Sequence, residues 1–377
     1  SGGIDSSYIV GTARQVRQEN ESSLLPVYSG ITENDPQCRE TRMIKAVVKQ
    51  GGFESIAVSP ERVSDYKGEL LEIDDAIEDP FDSSMTMMKL FYLMARDRGQ
   101  RVMLDGVEGD LVHSLSVSYP ANLLRAGQYR RALSESIGIW KNFYRQQTSL
   151  SSVFNHTIRP AFIPDSLRQW RRRVRRQSIL EENLRGSVIN RDFASEVDIE
   201  ARLRQRASHS DAGSHAGLRE RQIRNIQHPY LTTALERYDR IAALCCIEPR
   251  HPLLDKRLVE FSLSLPWQLK VRHGWSKYIL RRASEPLLPA GVSWRQGWED
   301  IGWQFTSALI QQDTERLTQA SRQQALLSRY VHADTLKLLA SDQPIEASSE
   351  HEEAVWMAAQ LARWLNVYSH EGLSHYV

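Results

Sequence analysis

A chain of 377 residues is long enough for two domains with real hydrophobic cores. Its 48 Lys and Arg offset 47 Asp and Glu to a net charge of +1, which argues against nucleic acid as the main partner. The ordinary globular composition (41% hydrophobic, 25% charged) excludes disorder, and no apolar run reaches the roughly 18 residues of a membrane span.

The first third alternates helix and strand. Apolar residues at Ile4, Tyr8, Ile9, Ala13 and Val16 predict a helix over 4–18, and 24–28 reads as a strand. Met43, Ile44, Val47 and Val48 share one face of a helix over 40–49. A second strand follows at 55–58, a helix at 85–96, and a third strand at Val102-Met103-Leu104. Short, nearly continuous apolar strands separated by helices predict an α/β fold with an open parallel sheet, its ligand at the carboxyl ends of the strands. Beyond residue 123 the strand signal stops and the chain reads as helical, divided by Pro249, Pro252, Pro266, Pro286 and Pro289. The run 168–176 carries six arginines and reads as a solvated helical face, with polyanion, membrane or peptide contact as the alternatives. Residues 207–217 read as a loop, 341–353 as an acidic surface connection, and 354–365 as a final helix. Cys38, Cys245 and Cys246 form no CxxC pair, so a reducing, cytoplasmic setting without a disulfide scaffold is expected, with Cys245 and Cys246 as small core residues. Three units result: 1–121 as the α/β part, 122–225 as a helical, Arg-rich insertion, and 226–377 as a helical C-terminal part.

The strongest chemical signal is the opening Ser1-Gly2-Gly3-Ile4-Asp5-Ser6-Ser7, followed at once by an amphipathic helix. Gly2 and Gly3 let the backbone turn and approach a ligand closely, while Ser1, Ser6, Ser7 and the helix N-terminus supply donors. Together they would seat a pyrophosphate. Asp5 suits such a seat only as a ligand to Mg²⁺, which favours carboxylate and phosphate oxygens. A second acidic loop, VMLDGVEGDLVHS over 102–114, offers Gly106, Glu108 and Asp110. If Asp5 and Asp110 converge to about 4 Å, they repel by roughly 4 kcal/mol at an effective dielectric near 20, and a bridging Mg²⁺ reverses that sign. Without it, one of the pair should take a proton or move away. A third stretch, 236–283, reads ERYDRIAALCCIEPRHPLLDKRLVEFSLSLPWQLKVRHGWSKYILRRA. Leu231, Leu235, Tyr238, Ala242 and Cys245 form one inward helical face that leads into it. Asp255 should cap a helix burying Leu258, Val259, Phe261 and Leu265.

The opening motif resembles the PP-loop of ATP pyrophosphatases, and the two later stretches narrow the likeness to asparagine synthetases. Gly106 and Asp110 match that family's second nucleotide motif, with Val107 and Leu111 standing where acids are usual. Arg237, Asp239, Arg240, Glu248, Arg250, Pro252, Leu254, Asp255, Lys277, Leu280 and Arg281 match the later signature in order. The 288–295 segment LPAGVSWR is similar too, after which Gln296-Gly297-Trp298 departs from the pattern. The resemblance implies a PP-loop sheet that binds ATP and Mg²⁺, the metal on Asp5 and Asp110. It makes Lys277 the lysine that reaches the ATP phosphates. Glu108 would take part of the acidic role, and Arg250 with Glu248 would be either a substrate-site pair or a structural ion pair.

The implied reaction adenylates a carboxylate, the aspartate side chain in the family, and transfers nitrogen to it. The resemblance further implies a glutaminase domain or other ammonia source upstream of Ser1, with a homodimer among the assemblies allowed. A PP-loop ordinarily follows a buried strand, so the opening on Ser1 with no initiator Met reads as a piece of a longer protein. The nearest alternative keeps adenylation and changes the nucleophile, as in a lasso-peptide cyclase or β-lactam synthetase. The alternative from another class is a non-catalytic binding protein on a decayed synthetase fold.

Overall fold

The computed structural model describes residues 2–20, 24–77, 79–80, 84–113, 119–162, 187–211, 218–297, 299–341, 346 and 350–371. Ser1, Trp298 and the arginine run 168–176 lie outside these residues. Among the described residues the protein is mostly helical (67%) with small parallel sheets, an α/β arrangement weighted toward helix.

The chain runs α1 (Ile4–Glu19), β1 (Leu25–Gly30), α2 (Arg39–Val48) and β2 (Phe53–Val58). β1 and β2 pair in parallel from Leu25 opposite Phe53 to Gly30 opposite Val58, with α2 as the crossover that a parallel pair requires. Then come α3 (Lys67–Ala76), α4 (Thr86–Asp97), β3 (Val102–Leu104) and α5 (Gly109–His113). Leu90 to Ala95 of α4 are all buried, because this helix is apolar on every side and sits inside the main core. Around it pack Val58, Leu70, Ile73, Ile241, Cys245, Phe305 and Trp356. The fully buried Lys89 of α4 meets the fully buried Asp74 of α3, whose carboxyl is pushed up by burial against the pull of that lysine.

Four features depart from the sequence reading. The strands form two separate parallel pairs among the described residues rather than one open sheet, since β3 pairs with β4 (Glu248–Arg250). β4 is a strand inside the part of the chain that reads as helical with dividing prolines. Pro249 costs it one N–H, yet Glu248 N donates to Arg101 O and Arg250 O accepts from Asp105 N. The helix Ile199–Asp211 continues through the first half of the expected 207–217 loop, since Ala and Ser are tolerated in a helix. The final helix spans Glu350–Glu371 and takes in the end of the expected acidic connection. Glu352 is buried there because Ser307 Oγ (3.0 Å) and Gln311 Nε2 (2.8 Å) donate to its carboxylate.

Two single residues differ as well. Phe261 is exposed instead of buried, the helix Lys256–Ser264 turning Ser262 inward in its place. Cys246 is exposed with φ +57 at the turn after the helix Pro229–Leu244, while Cys245 is buried as expected. All three cysteines are free thiols, and no described helix is long and apolar enough to cross a membrane.

The fold places the site through two smaller cores. Ile4 of α1 packs with Val47 of α2 and with Leu280, Leu288 and Val292 from the C-terminal half. Gly11 admits this approach, since an added Cβ would lie 3.1 Å from Leu287 Cβ, and Arg14 Nη2 donates to Leu287 O at 3.0 Å. The start of α1 is thereby laid beside the start of the helix Tyr278–Ser284. A separate core joins α6 (Tyr119–Arg125), α7 (Tyr129–Ile139) and α8 (Leu150–Thr157) to Val271 through Tyr119, Leu123, Ala132, Ile139 and Val153.

Candidate active site

Gly3 has an ordinary φ of −68 and Gly2 is not among the described left-handed glycines, so no left-handed turn is seen in the opening motif. Gly2 is required by packing. An added Cβ would lie 2.8 Å from Glu40 O and 2.8 Å from Met43 Cβ. Gly3 caps α1 with extended backbone, and Ser7 N donates to Gly3 O at 3.0 Å while Ser6 Oγ does so at 3.3 Å. The second acidic loop closes directly onto this helix start. A Cβ on Gly106 would lie 2.5 Å from Ser6 N, and one on Gly109 would lie 2.7 Å from Asp5 Cγ. At Gly106 backbone lies against backbone and at Gly109 the Asp5 and Leu253 side chains lie against backbone, close approaches possible only because both positions lack a side chain.

Lys277 ties the three sequence motifs together. Its ammonium forms an ion pair with Asp5 Oδ2 and another with Asp110 Oδ1 at 2.8 Å. The Lys277 and Asp5 side chains are only 7% and 16% exposed, whereas Asp110 is 79% exposed, so Asp110 is the arm that solvent or a ligand reaches. The expected clash between the two carboxylates is relieved by this lysine. Burial raises the Asp5 carboxyl above its ordinary value, with Lys277 pulling it down and Asp110 adding to the rise. Asp5 Oδ1 is buried without a hydrogen-bond partner among the described residues. An orphaned carboxylate oxygen beside a second carboxylate fits a hard cation such as Mg²⁺. No cluster of three or more His, Cys, Asp or Glu is arranged for a metal among the described residues.

Two arginines hold this arrangement from behind. Arg281, one turn beyond Lys277, is buried and donates to Ser276 O (2.8 Å), Ser293 O (3.0 Å) and Arg295 O (3.1 Å). Burial lowers its guanidinium to about 10, offset in part by Asp5. Arg295 makes a two-pronged pair with Glu40, Nη2–Oε1 at 2.5 Å and Nη1–Oε2 at 3.0 Å, and also donates to Gly2 O. Burial opposes ionised Glu40, yet the hydrogen bonds and charge of Arg295 prevail and leave its carboxyl below the ordinary value.

The remaining expected residues divide. Glu108 is half-buried at φ +60, its carboxyl raised by burial and then by Asp110. Arg250 pairs with Glu248 at 2.8 Å on the exposed side of β4. Two residues were passed over in the sequence: Asp105, at the carboxyl end of β3, accepts or shares a hydrogen with His251 Nδ1 at 2.6 Å. Asp105 also accepts from Val107 N at 3.0 Å, and its Oδ2 is buried without a partner among the described residues. Tyr238 packs edge-on to His251 and is pushed up to about 12 by burial, then by Asp105 and Glu108. Their signal was position alone: an acid just past a strand, and a histidine between Arg250 and Pro252.

The chain is similar to known proteins over most of its length. A family model described as asparagine synthase matches residues 1–366. Asparagine synthetase [glutamine-hydrolyzing] 1 of Bacillus subtilis (strain 168) is 23% identical over 398 aligned residues, covering 100% of this chain and 57% of the relative. Asparagine synthetase [glutamine-hydrolyzing] 3 of the same organism is 37% identical over 67 residues, 18% of this chain and 11% of the relative. Asparagine synthetase [glutamine-hydrolyzing] of Gallus gallus is 39% identical over 79 residues, 20% of this chain and 14% of the relative.

Proposed function

The chain belongs to the asparagine synthase family, and from that premise we propose that it is an ATP-dependent C–N ligase of the PP-loop type. The observation that carries the reading is Lys277 held between Asp5 and Asp110 at the start of α1. ATP phosphates would lie along Ser1 to Ser7 and Gly106, taking Lys277 as their counterion. Asp5 and Asp110 would hold Mg²⁺, whose charge would offset that of the phosphates. A substrate carboxylate would attack the α-phosphorus, forming a C–O–P bond as the α–β bridge breaks and pyrophosphate leaves. Lys277 would meet the charge that develops on the leaving pyrophosphate. A nitrogen nucleophile would then displace AMP and form the amide.

The aspartate side chain is the carboxylate this reading favours, and ammonia is the nucleophile. The relatives named above are glutamine-hydrolysing, and this chain spans 57% of the length of one of them, so a glutaminase domain is the proposed nitrogen source. Free thiols at Cys38, Cys245 and Cys246 are in keeping with a cytoplasmic setting. The Asp105–His251 pair favours a second reading, an intramolecular amide former. A carboxylate-oriented imidazole beside the acidic loop is suited to accept the proton that an amine sheds as it attacks.

The deciding experiment is carboxylate-dependent exchange of labelled pyrophosphate into ATP with Mg²⁺, screened over candidate acids. Exchange with aspartate supports the first reading, and exchange with an amino-bearing acid that then cyclises supports the second. A folded protein that exchanges with no acid overturns both.

A further inference from the structure

Lys277 sits at φ +53, an unusual backbone for a lysine, so something outside its own helix must hold it there. The segment before it closes a tight turn, with Arg272 N to Trp275 O at 3.2 Å and Trp275 N to Arg272 O at 3.0 Å. The two central residues, His273 (φ +53) and Gly274 (φ +76), are both left-handed, the conformation of a type I′ turn. Successive N–H groups in such a turn form a small anion-binding concavity. Here the anion is Glu135 of α7. Its Oε1 accepts from His273 N at 3.0 Å and its Oε2 from Gly274 N at 2.6 Å. Tyr119 of α6 donates to Oε2 at 2.5 Å, so the buried carboxylate is fully engaged.

The grip extends beyond one side chain. A Cβ on Gly138 would lie 2.3 Å from His273 O, and one on Gly274 would lie 2.0 Å from Ile139 N. The backbones of α7 and the turn therefore touch. After α7 the chain takes a π-helical turn, Trp140–Tyr144, which brings Asn142 Nδ2 to His273 O (2.9 Å) and the Phe143 ring edge-on to Trp275 (5.3 Å). Trp275 also meets Trp294 edge-on at 5.2 Å and carries the Arg281 guanidinium 4.8 Å over its ring. Two residues later comes Lys277.

We propose that Glu135 is a positioning residue for the reaction: its carboxylate fixes the His273–Gly274 turn and through it the place of the Lys277 ammonium. The proposal rests on the adenylation reading above for what Lys277 does. It assigns a role in the synthetase site to helices α6 and α7, which carry none of the matched motifs.

The test uses the whole protein and three variants, each checked for folding by circular dichroism. Glu135→Gln replaces one acceptor oxygen by a donor facing an N–H, and is expected to lower kcat of pyrophosphate exchange by about 10²-fold, the scale of an ångström-level misplacement, with KM for ATP nearly unchanged. Tyr119→Phe removes one donor but leaves both turn bonds, and should keep kcat within about threefold of wild type. Glu135→Asp keeps the charge on a shorter stem, and should fall between the two. If the Gln variant does not fold, the Asp variant decides, and wild-type kcat there overturns the proposal. Covalent modification of Lys277 by periodate-oxidised ADP, followed by mass spectrometry, reads its placement without turnover and should slow in both Glu135 variants. Equal losses in Tyr119→Phe and Glu135→Gln would show general loosening and overturn the proposal. So would wild-type kcat and labelling in a folded Gln variant. Absence of exchange in the wild type would instead sink the adenylation reading and leave the labelling comparison standing.

Discussion

Lys277 holds its charge between two carboxylates, and phosphate oxygens would have to take over that role when a nucleotide binds. Removing the lysine, or neutralising either acid, therefore alters both the resting site and the liganded one. Lys277→Ala, Asp5→Asn and Asp110→Asn should each lower pyrophosphate exchange by at least about 10²-fold, a loss of about 2.7 kcal/mol, with folding retained. Full exchange in Lys277→Ala would remove that residue from the chemistry. Arg295 is a different case, since its partner Glu40 is buried with it. Arg295→Met leaves that carboxylate without its cation and should cost about 3–5 kcal/mol in urea unfolding. The pH dependence follows from the lowered carboxyl of Glu40. The folded state prefers the ionised form more than the unfolded chain does. That stabilisation is complete above the ordinary value of 4.5 and is lost as pH falls through the lower folded value. Between wild type and Glu40→Gln, the stability gap measured at pH 6 should shrink as pH is lowered beyond 4.5.

Among the elements, the closest join in the site is the acidic loop against the start of α1. Gly106→Ala sets a methyl 2.5 Å from Ser6 N, and neither backbone can yield without shifting the helix start. We expect it to weaken ATP binding at least about tenfold, or about 1.4 kcal/mol, by equilibrium dialysis. Unchanged affinity would mean that the loop does not shape the seat. Parts of this were legible in the sequence. The helix after Gly3 showed its 3.6-residue period, and Asp5, Asp110 and Lys277 stood in motifs long enough to be recognised. β4 was not legible, because three residues containing a proline carry no strand period and pair only through a partner far away in the chain. Glu135 was not legible either. A glutamate on an amphipathic helix looks solvated until the His273–Gly274 turn is seen against it.

At the level of the whole molecule, the first core cluster unites α3 and α4 with distant helices, and a smaller one seats α1 against the C-terminal half. A ligand that binds across α1 and Lys277 bridges those parts and should stabilise them together. Mg-ATP at about 100 times its Kd should add about 2.7 kcal/mol to folding stability and raise the unfolding temperature by a few degrees, an effect lost in Asp5→Asn. No shift in the wild type would count against the seat itself. The composition could not foretell that the parallel strands among the described residues would fall into two pairs.

Asp5 and Lys277 are 272 positions apart. A ribosome adding about 5–20 residues per second needs on the order of tens of seconds to travel from one to the other. Through that interval the first helix has its aspartate but not its counterion, and Ile4 has no Leu280 or Leu288 to cover it. The candidate site thus cannot close until Lys277 has been made, and until then the first helix waits with its acid unpaired and its apolar face incompletely covered.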